Sequence, residues 1–186
     1  MIPIIGADAF GTKTGDPTTA SEMFVCEKNK LIVLQTRTPL TSTLLDSYIK
    51  EVLAFFCTEK LSQLFILTSS YSHEQHYIEK SPFEFLANEF VTEKNFTGFS
   101  ESAMVTIPGC GYAKLLFDQA TADKIPTVIL FKFSSEGNNF FDGIQLCNNV
   151  NNFLKVITST ANGTADIKTP ISWKHQFGCS VNPEIY

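Results

Sequence analysis

The sequence predicts an α/β domain, a three-layer sandwich around a mixed, largely parallel sheet. Three observations predict it. Short apolar runs of strand length alternate with segments whose apolar residues recur at helical spacing. One of those runs, Pro126 to Ser134, is the strongest strand signal in the chain. A strand, a helix and a strand follow one another between Leu31 and Thr68, an order that implies a right-handed crossover and a parallel pair. The chain has 186 residues, 44% of them hydrophobic and 18% charged, which suits one domain over 1–186. A domain of this size buries roughly 70% of the surface that its unfolded chain would expose, so its core needs neither disulfides nor metal.

The elements follow in order. Residues 1–21 include a stretch from Gly6 to Ser21 that is rich in Gly, Thr, Asp and Pro and reads as an irregular segment. Glu22 to Cys26 and Leu31 to Thr38 are β-rich runs around Glu27-Lys28-Asn29-Lys30, the pattern of a hairpin that Pro39 ends. Thr41 or Ser42 caps a helix on which Leu45, Ile49, Val52, Leu53 and Phe56 share a face through about Lys60. Gln63 to Thr68 has the length of a buried strand, and Ser69 to Lys80 is a polar loop. Ser81-Pro82-Phe83-Glu84 fits a short helix ending near Phe90, with Ser as cap and Pro at the first helical position.

Ala103 to Ile107 is expected as a strand, closed by Pro108-Gly109-Cys110-Gly111, and Tyr112 to Thr121 as a helix. After Glu136-Gly137-Asn138-Asn139 a long helix carries Phe140, Ile144, Cys147, Val150, Leu154 and Ile157 on one face. Residues 160–186 form a polar linker and a tail that holds Trp173 and Phe177 and ends on Ile185-Tyr186.

Composition excludes several functions. A net charge of −5 argues against a nucleic-acid binder, because phosphate neutralisation needs clustered Lys and Arg. No run approaches 18 apolar residues, so no membrane span is expected. The start, Met1-Ile2-Pro3-Ile4-Ile5-Gly6, lacks the features of a secretory signal, and a soluble protein is expected. The five cysteines, Cys26, Cys57, Cys110, Cys147 and Cys179, are odd in number and form no CxxC pair, which reads as reduced thiols in the cytosol or nucleus. Asn95-Phe96-Thr97 and Asn162-Gly163-Thr164 then read as chance glycosylation triplets. Seventeen Phe against one Trp leave enough rings to line a partner surface as well as a core.

Four constellations carry candidate chemistry. Ile107-Pro108-Gly109-Cys110-Gly111 joins a strand to a helix, where α/β folds bind phosphate on exposed amides; the structural alternative is a tight turn that needs glycine. Cys110 there, with His73 or His76 as base, is the pattern from which a thiol hydrolase can be imagined, although no family signature surrounds either histidine. His73 and His76 lack further zinc ligands and read as loop residues, while His175 beside Trp173 reads as packing. Ser134 to Asn139 is either a ligand loop at a strand's carboxyl end or a turn in which Gly137 supplies a positive φ and Asn caps the helix. The tail Glu184-Ile185-Tyr186 offers an apolar anchor and a terminal carboxylate for docking into a pocket that holds a Lys; packing on its own domain is the alternative.

Leu34-Gln35-Thr36-Arg37-Thr38-Pro39-Leu40, Ile107 to Gly111, Lys132-Phe133-Ser134-Ser135-Glu136-Gly137-Asn138-Asn139 and Ile171-Ser172-Trp173 together resemble the proteasome assembly chaperone 2 family, in order and with compatible spacing. The residues that carry the motifs are Pro108, Gly109, Gly111, Glu136, Gly137, Asn138, Asn139 and Trp173. The resemblance implies a sandwich similar to nucleoside phosphorylases without their catalytic apparatus, no cofactor, and a heterodimer with proteasome assembly chaperone 1 that promotes assembly of the proteasome α-ring. It also implies a tail that enters pockets between α subunits through a hydrophobic-Tyr-X ending, whereas this chain ends at Tyr186. Family members usually begin with another strand and helix ahead of the segment that Met1 to Gly11 resembles, so an isoform or a truncated form is expected. The rival reading is a nucleoside-phosphorylase-like enzyme, with Gly109 to Gly111 on phosphate and Glu136 or Asn138 on the nucleoside. Such a site wants an arginine, and Arg37 is the chain's only one.

Overall fold

The computed structural model describes residues 20–37, 39–75, 81–157 and 167. They fall into two compact units, one drawn from residues 1–39 and 166–186, the other from residues 40–165. In the first unit, β1 (Ser21–Cys26) and β2 (Leu31–Thr36) form the expected hairpin, paired antiparallel with Phe24 opposite Val33. Lys30 takes φ 50° at the turn, and its N–H donates to the Glu27 carbonyl at 3.1 Å. Arg37 extends the ribbon: its N–H reaches the Ala20 carbonyl, and its guanidinium pairs with Glu22.

The second unit is a three-layer sandwich. Its strands are β3 (Leu64–Tyr71), β4 (Phe83–Ala87), β5 (Ser100–Glu101) and β6 (Thr127–Ser134), in the order β3-β6-β4-β5. The pairs β3/β6 and β4/β5 are parallel and β4/β6 is antiparallel, which makes the sheet mixed. Alternation along β6 divides the core, because successive side chains leave opposite faces. Ile129, Phe131 and Phe133 join α1 (Ser42–Thr58) and α2 (Ala113–Ala122) on one face. Val128 and Leu130 meet Phe85, Val91, Phe96 and Val150 of α3 (Phe140–Leu154) on the other. Every residue of β6 is buried. That is why the strongest strand signal in the sequence marks the middle of the sheet.

Phe rings fill the α3 side, with Phe96 edge-on to Phe85 at 4.9 Å and to Phe153 at 5.5 Å between centroids. Buried Asn88 closes the opposite end of β6. Its amide donates to the Ile125 carbonyl at 2.8 Å and to Thr121 Oγ1 at 3.2 Å, and its carbonyl accepts the Thr127 N–H at 3.2 Å.

Four sequence expectations are corrected. The expected parallel pair between the second hairpin strand and β3 does not form: β2 pairs with β1, and β3 pairs with β6 more than fifty residues further on. Sequence order predicts pairing only between neighbouring elements, whereas β6 takes the centre because it is apolar on both faces. The helix expected at Ser81 to Phe90 is strand β4. Phe83 and Phe85 alternate with Glu84 and Leu86, and Pro82 lies just ahead of the ladder, where its missing N–H costs no bond.

The strand expected at Ala103 to Ile107 is confined to Ser100–Glu101. Ser102 donates its N–H to the Phe85 carbonyl at 2.8 Å and takes the Met104 N–H on its own Oγ, which turns the chain out of the sheet. Ile157 is not on the α3 face. The helix stops at Leu154, Lys155 turns left-handed at φ 51°, and the Asn151 side chain binds both the N–H and the carbonyl of Ile157.

Candidate functional site

The carboxyl ends of parallel strands β3 and β6 carry the two sequence-predicted loops. Tyr71 stands beside Ser134 in the ladder, so the loops leave from adjacent strands. The Ile107–Gly111 turn lies over the end of β3. Ser70 Oγ donates to the Pro108 carbonyl at 2.9 Å, and Thr68 Oγ1 donates to the Cys110 carbonyl at 3.4 Å. Gly109 has φ +81° and a backbone so close to Tyr71 that a Cβ there would meet the ring at 3.1 Å. Gly111 has φ +60°. Gly109 is therefore needed for the turn itself, while Gly111 eases a left-handed position with open space around it.

The Ser134–Asn139 loop is bridged to the end of β3 by the hydroxyls of Ser135 and Ser72, 3.1 Å apart. Gly137 adopts φ +104°, as the turn reading requires. Asn139 occupies the cap position of α3 without a side-chain capping bond, so that part of the reading is not met. Glu136, Asn138 and Asn139 are exposed. His73 is exposed, as expected, but lies in a single 3-10 turn over Ser72–Glu74 rather than in an irregular loop, and it stacks on Tyr71 at 5.3 Å.

Lys132, the motif's first residue, sits 7% exposed on the α3 face of β6. Its ammonium donates to Asp142 and, at 2.7 Å, to Gln145 Oε1, and it lies 5.5 Å from the centre of the Phe83 ring. All its visible work is to tie β6 to α3, an arrangement that sequence reading left unassigned. Arg37, the only arginine, is engaged with Glu22 inside the hairpin. Among the described residues no cluster of three or more His, Cys, Asp or Glu is placed to hold a metal, and no helix is long and apolar enough to cross a membrane. Cys26, Cys57, Cys110 and Cys147 are free thiols, and burial pushes the Cys147 thiol up.

His76, Trp173, His175, Cys179 and the tail residues Glu184, Ile185 and Tyr186 lie outside the described residues. What the sequence reading missed is the hairpin's surface. Met23, Phe24, Val25, Val33 and Leu34 are exposed, and they occupy both faces of the ribbon. The signal was readable as two apolar runs that lack the polar alternate of a half-buried strand.

The fold is that of an archaeal assembly-chaperone homologue. The structure is similar to the crystal structure of Pyrococcus furiosus PbaA, described as an archaeal homolog of proteasome-assembly chaperone, with a TM-score of 0.61 and 17% identity over 88% of this chain and 68% of that one. It is also similar to a protein of unknown function from Thermoplasma acidophilum, with a TM-score of 0.51 and 13% identity over 81% of this chain and 65% of that one.

No protein-family model matches the sequence. In sequence, the chain is similar over its whole length to proteins named proteasome assembly chaperone 2. It is 24% identical to the Danio rerio protein over 209 residues, covering 80% of it, and 24% identical to the Mus musculus protein over 213 residues, covering 81%. The Homo sapiens protein is 22% identical over 213 residues. The resemblance carried by the motifs thus extends to the full chain.

Proposed function

We propose that this chain is a non-catalytic chaperone that pairs with proteasome assembly chaperone 1, promotes assembly of the 20S α-ring and prevents off-pathway association, in the cytoplasm and nucleus. The observation that carries the reading is the match of all 186 residues to relatives bearing that name. The apolar hairpin surface supports it, since bare Phe24, Val25 and Met23 stabilise nothing until a partner covers them. An obligate interface of this kind buries about 2,000 Å² or more in total. Against the phosphorylase alternative stands the engagement of two lysines of this unit: Lys132 is bound to Asp142 and Gln145, and Lys114, three residues after Gly111, is paired with Asp118.

The test is to tag the chain in its own cells and identify what co-purifies. The sibling chaperone and α subunits are expected; recovery of the chain alone overturns the proposal. Deleting Ile185 and Tyr186 is expected to weaken recovery of α-ring intermediates and to leave the heterodimer intact. Unchanged recovery of those intermediates removes the tail from the mechanism. Phosphorolysis by the purified heterodimer, abolished by Glu136→Gln, would establish the enzyme instead.

A further inference from the structure

We draw no further inference here: the strongest candidate, the exposed apolar surface of the β1–β2 hairpin formed by Met23, Phe24, Val25, Val33 and Leu34, carries nothing because nothing in the structure shows what covers it.

Discussion

The family-motif run begins at Lys132, and its partners define a decisive perturbation. Asp142→Ala would leave the Lys132 ammonium, 7% exposed on β6, with Gln145 and the Phe83 ring but without a counter-charge. Breaking a buried pair on one side costs about 3–5 kcal/mol. The Asp142 side chain is 27% exposed, so water reaches the pair and part of the loss is screened. The expected cost is therefore about 2–3 kcal/mol. In a chain of this length it corresponds to a fall of roughly 4–12 °C in the thermal midpoint.

The double variant Lys132→Met with Asp142→Leu removes both charges and keeps the packing, and is expected within about 1 kcal/mol of the parent. Urea unfolding of the parent, both single variants and the double variant measures the cycle. A loss below about 0.5 kcal/mol for Asp142→Ala, or a double variant no better than the single ones, would refute the argument that the pair tethers α3 to β6.

Two further outcomes follow from the loop cluster and the core. Gly109→Ala forces a Cβ to 3.1 Å from the Tyr71 ring at φ +81°, and is expected to cost about 1–3 kcal/mol in urea unfolding. Gly143→Ala, with open space around its Cβ and an ordinary helical φ, is the control and is expected to be neutral or stabilising. For the thiols, burial raises the Cys147 pKa, so at pH 8 its reactive thiolate fraction is depleted. Iodoacetamide labelling followed by mass spectrometry is expected to modify exposed Cys57 well before Cys147. Raising the pH toward 10 should narrow the gap, and equal rates at pH 8 would contradict the burial.

Local chemistry was legible where one segment decides its own conformation. The hairpin, α1, α2 and β6 come from period and punctuation: apolar faces at 3.6, apolar runs at strand length, and Pro39 and Pro126 at the boundaries. The glycines of the Pro108 turn and Gly137 were read as backbone requirements, and their positive φ values bear that out. The family motifs pointed in the same direction as the full-length comparisons.

Pairing was decided only in three dimensions. Ser81-Pro82-Phe83-Glu84 carries a helix-start signature, yet Phe83–Ala87 becomes a strand because β6, apolar on both faces, needs a second neighbour. A local propensity worth a few tenths of a kcal/mol yields to the burial of whole Phe side chains, each worth roughly 1.5–3 kcal/mol. The sequence by itself determined which segments are apolar and with what period, because those depend on neighbours a few residues away. Which strands lie side by side, and that Lys132 meets Asp142, were settled by the tertiary structure. Those outcomes depend on which distant surfaces bury the most area together.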